Sequence, residues 1–406
     1  MTAASTGNTF TVKSTAPWTI ECFEADGTTS IPNGGWLSVN PATGTATSTA
    51  TVSVLVAANG GAARTGKLII QSGLFTHIVT VNQEVMSPTA NSFIVAPNTN
   101  NYAIPVRNCN MSDLGIQLND GETFTAEVVW ESDANAVSTV TVNGSGPYGN
   151  IVVSTGSAEG NGVVCIKKGG VILWSWHIWV TNYNPETGTY VSNGQTFMER
   201  NLGAMNNTPG DVGSLGLMYQ WGRKDPFPGS ASTTANTEPT YATVTKTQAP
   251  AGTSPNYNIG VAVANPLTFY TGSSANSYDW YSITASIKND ALWGASKTIY
   301  DPCPEGWKVP ASGPTSDSPW YDLTSQWFSV GTGADWTLNG RGYYPACGHR
   351  GRADGNLTAL DTGRGLYGSS AINGNNVKYL DFGPGALNTN SNQARGYASA
   401  IRCVVE

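Results

Sequence analysis

The chain has 406 residues, more than one ordinary domain holds, so two to three domains are expected. Charged residues make up 12%, with 47 Gly, 22 Pro and 13 Trp, which fits a turn-rich β protein with an uncharged polar surface and not a helical bundle. The formal charge is −7, and none of the three regions proposed below is net positive. That excludes the basic footprint for nucleic acid or an anionic membrane, and no apolar run of about 18 residues or more offers a transmembrane helix.

The opening Met1-Thr-Ala-Ala-Ser-Thr-Gly7 has neither a charged n-region nor an apolar h-region, so it is not a signal peptide. The Ser/Thr/Asn/Gly-rich composition still points to an extracellular surface. The sequence is therefore expected to be a mature, exported form whose signal has been removed. Six cysteines are present: Cys22, Cys109, Cys165, Cys303, Cys347 and Cys403. None lies in a C-x-x-C spacing, so neither zinc nor redox chemistry is expected, and no cofactor or metal is assigned. Cys22, Cys109, Cys165 and Cys347 read as isolated thiols.

Residues 1–86 read as short strands. Val52, Val54 and Val56 share one face, Leu68-Ile69-Ile70 and His77 to Val81 follow, and Asn59-Gly-Gly and Gln71-Ser-Gly-Leu74 supply turns. The ordered landmarks are Pro17-Trp18, Trp36-Leu-Ser-Val-Asn-Pro41, Gly44, Asn59, Arg64-Thr-Gly66 and Val81-Asn-Gln83. They resemble the BACON family, small immunoglobulin-like β-sandwiches of surface and secreted proteins in Bacteroides-like bacteria. The family was named for a proposed carbohydrate-binding role, although many members look like spacers. Trp18 and Trp36 are expected to fill the sandwich core.

Ser87 to Asn91 is a polar, Pro-containing break, and residues 87–184 are read as a second immunoglobulin-like sandwich. Its last strand, Val171–Val180, places Trp174, Trp176, Ile178 and Val180 on one face and Leu173, Ser175, His177 and Trp179 on the other. Both faces are largely apolar, which predicts a central strand or one covered by a neighbouring domain. Gly144-Ser-Gly146-Pro-Tyr-Gly149 matches G-x-G-x-x-G, but a strand follows where a dinucleotide site needs a helix, so it reads as a hairpin turn. His177, between indoles, reads as a structural histidine.

The third region runs from 185 to 406. Residues 229–260 are Ser/Thr/Asn/Pro-rich and predict a long exposed loop. The motifs Arg200-Asn-Leu-Gly203, Tyr219-Gln-Trp-Gly-Arg223, Asp301-Pro-Cys-Pro-Glu-Gly-Trp-Lys-Val-Pro310 and Ile401-Arg-Cys-Val404 occur in that order. Together they resemble the FISUMP (major paralogous) domain of surface lipoproteins and fimbria-associated proteins. Those domains are related to the C-type-lectin-like fold shared with formylglycine-generating enzymes. The resemblance implies a disulfide between Cys303 and Cys403. Where the family usually has tyrosine-tryptophan before the serines, this chain has Leu366-Tyr367-Gly368-Ser369, so the indole is lost. Val212 to Phe227, dense in specific residue types, is then expected to be a short helix or turn that seats the core, with Arg223 and Asp225 pinning the start of the long loop.

The fold class expected is mainly β: two immunoglobulin-like β-sandwiches followed by an irregular α+β C-type-lectin-like domain. No nucleophile elbow, metalloprotease helix or P-loop is present. Asp279, Asp290, Asp322, Asp335 and Asp354 could supply a glycosidase pair only at the right separation. The calcium-dependent lectin motifs are missing, Glu238-Pro-Thr240 being the nearest, so a calcium-bridged sugar site is not expected. Sugar sites want flat rings and planar polar groups. Trp280-Tyr281, Trp327, and above all Trp320, Tyr321, Trp336, His349, Arg350, Arg352, Asp354 and Asn356 offer them. The expected function is that of a cell-surface adhesin or fimbrial tip protein, exported to the outer membrane surface. It would recognise a glycan or a host or bacterial surface protein, with other pilus subunits as further partners, and carry out no chemical step. The alternatives are a structural fimbrial subunit or spacer of a polysaccharide-utilisation system and, third, a carbohydrate-active or sulfatase-modifying-like enzyme.

Overall fold

The computed structural model describes residues 5–406 except 33–34, 48, 57–63, 84–89, 107–117, 120, 147–148, 252–254, 285, 312–314, 324–327, 330–331 and 338–339. Cys109, Trp327 and the turn expected at Asn59-Gly-Gly lie outside the described residues, as does most of the break at Ser87. The chain is mainly β, with one α-helix among the described residues, Pro255–Ala264. No helix among them is long and apolar enough to cross a membrane.

The first seven strands are β1 (Ser5–Lys13), β2 (Trp18–Glu24), β3 (Leu37–Asn40), β4 (Thr43–Gly44), β5 (Thr49–Val56), β6 (Arg64–Ser72) and β7 (Phe75–Gln83). They form two sheets, β1-β5-β3 and β4-β2-β6-β7. Alternation dictates the core: Val52, Val54 and Val56 point inward from β5 and meet Trp18, Ile20 and Leu68 of the other sheet. Gly44 lies flat on the Trp18 indole, where a Cβ would come within 2.3 Å of the ring. Trp18 fills the core as expected. Trp36 instead lies at its margin, half-buried, with Arg64 4.3 Å above the ring and the indole N–H donating to Glu24 Oε1 at 3.1 Å.

The next seven are β8 (Ser92–Val95), β9 (Tyr102–Pro105), β10 (Thr125–Glu131), β11 (Val137–Asn143), β12 (Asn150–Thr155), β13 (Gly160–Lys168) and β14 (Val171–Val180), in sheets β10-β13-β14-β8 and β11-β12-β9. Strand β14 is buried from Leu173 to Val180, on both faces. One face meets the facing sheet, and residues from far along the chain cover the other. Ile259, Ala262 and Val263 of the helix, Tyr300, Trp221 and Trp293 all belong to the same apolar cluster as Trp174, Trp176 and Ile178. Trp130 stacks on Tyr241, with centroids 5.9 Å apart. The second sandwich and the C-terminal region thus share one continuous core.

The C-terminal region is held by short ladders. Thr189–Ser192, Gln195–Met198, Val404–Val405 and Trp307–Lys308 make one sheet, so the start and the end of the region are neighbours. A larger sheet carries the long strands Gly365–Asn373, Asn376–Gly383 and Ala386–Ala394, with Met218–Gln220 pairing onto Ala398–Ala400. Cys303 and Cys403, 100 residues apart, are joined by a disulfide. The segment 229–260 is not one loop: Thr245–Gln248 pairs in parallel with Thr268–Thr271, and the helix begins at Pro255. Proline suits a first helical turn, whose N–H groups have no partner inside the helix. Burial against β14, rather than an apolar stripe legible in the sequence, holds the helix in place.

Candidate functional site

The motifs of the C-terminal region first prove to be its internal bracing. Val212–Ser214 is a single 3₁₀ turn, and from Tyr219 to Asp225 each side chain is buried. Gln220 Nε2 donates to the carbonyls of Tyr270 and Gly396, and the Trp221 indole donates to Ser369 O. Arg223 does not pin the start of the loop. It donates to the carbonyls of Thr268 (2.7 Å), Asn265 and Pro266, in the turn that follows the helix. Asp225 reaches into the second sandwich: Ser175 Oγ and Lys224 Nζ both donate to it at 2.6 Å, and Lys224 lies 4.5 Å over the Trp174 ring. A polar chain runs beside this contact. Ser92 Oγ donates to Pro302 O and sits 3.0 Å from His177 Nδ1. His177 Nε2 meets Asn161 Oδ1 at 2.9 Å, and Asn161 Nδ2 donates to Gly203 O. His177 is structural, and burial pushes its pKa down to about 3.

Most of the ligand-binding candidates lie inside. Trp320 is fully buried, its indole donating to Tyr344 Oη, and Trp336 is fully buried between Tyr344 and Phe382. Neither presents a face to a sugar, because this loop-rich region has few regular elements and fills its core with rings. Trp280 and Tyr281 are buried for the same reason. His349 is buried edge-on to Tyr397, and burial, then Arg364, lowers its pKa to about 4. Arg350 is also fully buried. Its two Nη groups donate to the Glu238 carboxylate at 2.9 and 2.7 Å, and Nε donates to Pro228 O. Glu238, the lectin-like near match, is thus the counter-ion of a buried arginine. Burial raises the Glu238 carboxyl, but the Arg350 hydrogen bonds outweigh it and the pKa ends below its ordinary value.

Tyr321 is exposed. Arg352, Asp354 and Asn356 lie in the loop that follows His349–Arg350, at one end of the larger sheet. The Arg352 guanidinium lies 4.2 Å over Tyr278 and 5.2 Å from the Tyr397 centroid. Asp354 accepts from the backbone and side-chain amides of Asn356, and Asn356 Oδ1 accepts from Lys246 Nζ. Ser277 and Tyr278 both have positive φ, 60° and 57°, a costly pair of left-handed non-glycine residues that turns the Tyr278 ring under Arg352. Sequence reasoning missed Lys246 and Tyr278, since each joins the 350–356 loop only through the fold. Among the glycosidase candidates, Asp279 and Asp290 both bind the buried Arg395, at 3.7 and 2.6 Å. Asp322 pairs with Arg341, and Asp335 accepts from Thr337 within its own turn. No three His, Cys, Asp or Glu side chains are grouped to hold a metal ion among the described residues.

A second feature lies at the N-terminal end. Where edge strands β1 and β7 part, a cleft of about 880 Å³ opens, lined by Phe10, Val12, Ile70 and Val79. At its mouth Leu74 is fully exposed and Phe75 is 83% exposed. The sequence signal is two large apolar residues directly after the turn glycine Gly73.

Residues 17–84 match the BACON family, described as "Putative binding domain, N-terminal". The N-terminal sandwich is therefore BACON-like. No curated protein matches the chain. Among solved structures, an endo-fucoidan hydrolase of glycoside hydrolase family 107 aligns with 44% of this chain and 27% of its own, at 12% identity and a TM-score of 0.17. An I-band fragment of titin aligns with 43% of this chain and 59% of its own, at 11% identity and a TM-score of 0.14. The cadherin-like domains of zebrafish RET align with 43% and 41%, at 12% identity and a TM-score of 0.16. The chain thus spans less than two thirds of the length of each of these three, and overlaps this slight carry no argument about fold or activity.

Proposed function

We propose that this is an exported cell-surface binding protein of adhesin or fimbrial type from a Bacteroides-type bacterium. In this reading two immunoglobulin-like sandwiches, 1–86 and 87–184, carry a C-terminal region, 185–406, of FISUMP and C-type-lectin-like kind. That region recognises a glycan or a surface protein without a chemical step. The carrying observation is the surface of Arg352, Asp354, Asn356, Lys246 and Tyr278, which sets planar hydrogen-bonding groups beside an aromatic ring. Hydroxyl-rich ligands are recognised by that combination, ring against C–H face and amide or carboxylate against hydroxyls. The BACON-like domain adds support, being of binding type. A second reading, a structural subunit or spacer, draws on the continuous core between residues 90 and 406, which stiffens the chain.

A glycan-array screen of the full chain separates them. Binding should fall at least tenfold with Arg352→Ala or Asn356→Ala while the fold is kept: the thermal midpoint should stay unchanged for the exposed Asn356 and drop only slightly for Arg352, which loses its contacts with Tyr278 and Tyr397. A blank array together with co-purified pilin subunits would sink the glycan reading in favour of the structural one.

A further inference from the structure

The seam between the second sandwich and the C-terminal region carries a groove of about 440 Å³, remote in sequence from the 350–356 loop. Its floor is aromatic: Phe93 on β8, Tyr102 on β9, Tyr183 just after β14, and Trp307 shortly after Cys303. Phe93 and Tyr102 meet edge to face, with centroids 6.0 Å apart. Glu186 and Glu305, both exposed, stand on the rim, and among the described residues that line the groove there is no Lys, Arg or His. The field of Glu305 is felt on the floor: burial first, then that carboxylate, pushes the Tyr102 phenol up to about 12.

The walls are fixed to one another. Asn91 Nδ2 donates to the carbonyls of Ile299 (2.7 Å) and Asp301 (2.9 Å), Ser92 Oγ donates to Pro302 O (2.6 Å), and the Cys303–Cys403 disulfide anchors the far side. A preformed cleft loses little entropy on binding, and its size falls within the roughly 300–1,000 Å³ of ordinary ligand pockets. Aromatic faces attract cations, and carboxylates at the mouth of a low-dielectric cleft concentrate a field of the same preference. Tyr183 already carries a guanidinium: Arg200 lies 4.1 Å over its ring, with its charge taken up by Glu199.

We propose that this groove is a second binding site and that it takes an arginine or lysine side chain from a basic, extended segment of a partner protein. Arginine fits best, since its planar fork can stack on a ring and still donate to a carboxylate. The site rests on the reading of the chain as a binding protein. Its test is separable, because the variants leave Arg352 and Asn356 untouched.

The probe is a fluorescein-labelled hexapeptide of alternating glycine and arginine, titrated against the full chain by fluorescence anisotropy, beside its citrulline and glutamate counterparts. The arginine peptide should bind at least tenfold more tightly than the citrulline peptide. That preference should vanish in about 1 M salt, where the Debye length is about 3 Å. Glu186→Gln should weaken binding without moving the thermal midpoint, and the double substitution Glu186→Gln with Glu305→Gln should weaken it at least tenfold. Trp307 is a core residue whose loss lowers the midpoint, and Trp307→Leu should weaken binding too if it folds. Equal binding of the arginine and citrulline peptides overturns the proposal. So does an affinity unchanged by the carboxamide pair, or no binding of the arginine peptide at millimolar protein.

Discussion

At the scale of single residues, the charges that matter most are buried, and each has its own way of being tolerated. Arg402 is fully buried, with no acidic partner among the described residues. Its Nε and Nη2 donate to Asn201 Oδ1, Nη1 donates to Tyr343 O at 2.7 Å, and the guanidinium lies 4.0 Å over Tyr344. Two motifs recognisable in sequence, around Asn201 and around Arg402, are therefore the two halves of one contact. The buried histidines answer pH instead. Burial holds His177 and His349 at pKa values of about 3 and about 4, below the roughly 6.5 of an unfolded chain. Between those values the unfolded state binds more protons, so stability rises with pH across that window and is lost as pH falls from about 6.5 towards 4. Asp279 opposes this. Burial, only partly offset by Arg395, raises its pKa to about 6, so between about 4 and 6 the folded state binds the extra proton and its contribution falls as pH rises. With two groups against one, the thermal midpoint should climb from pH 4 to 6.5. His177→Gln, which keeps an amide in the polar chain, should make the climb shallower. A midpoint flat over that range in the unaltered chain would mean that these burial effects do not act together as described.

At the scale of elements, what was legible depended on how local the cause was. Strand β5 could be read from alternation, and β14 from its two apolar faces, because each pattern lies within ten residues. The sequence could not say which neighbour covers β14. The helix Pro255–Ala264 sits in a stretch that reads as loop, and only its burial against that strand makes it a helix. The site suffered in the same way: Trp320 and Trp336 have the composition of a sugar platform, and their burial follows from tertiary packing alone. Arg350, the last residue of the strand His349–Arg350, turns in to Glu238 across 112 residues, while Asp354 and Asn356 in the loop after it stay exposed. The Cys303–Cys403 link, implied by resemblance, closes a loop of the size for which the chain-entropy model gives about 4.7 kcal/mol, its two cysteines lying 100 residues apart. The double variant Cys303→Ser with Cys403→Ser should lower the unfolding free energy in urea by roughly 3–5 kcal/mol. A loss under about 1 kcal/mol would show that the unfolded chain lacking the disulfide keeps residual structure that restricts it nearly as much.

At the scale of the whole molecule, the decisive feature is where the core divides. Residues of β1 to β7 gather around their own cluster, while the cluster of the second sandwich runs without a break through Leu202, Tyr219 and Trp221 to Cys403. Cutting near 185 would strip cover from Trp174, Trp176 and Ile178. It would also leave Lys224 and Asp225 without Ser175, and His177 and Asn161 without the Gly203 carbonyl. A large buried apolar side chain contributes about 1.5–3 kcal/mol through burial alone, so uncovering Trp174, Trp176 and Ile178 costs about 4.5–9 kcal/mol, comparable with the roughly 5–15 kcal/mol that holds a domain together. A fragment of residues 90–406 should therefore unfold in one cooperative step, with a midpoint close to that of the same transition in the full chain. A fragment of residues 185–406 should be aggregated, or should bind a hydrophobic dye strongly. Size-exclusion chromatography and thermal melts of the two fragments decide the matter. If 185–406 is monomeric and melts as sharply as 90–406, the shared core is only a contact between independent units, and the stiffness it lends the spacer reading disappears with it.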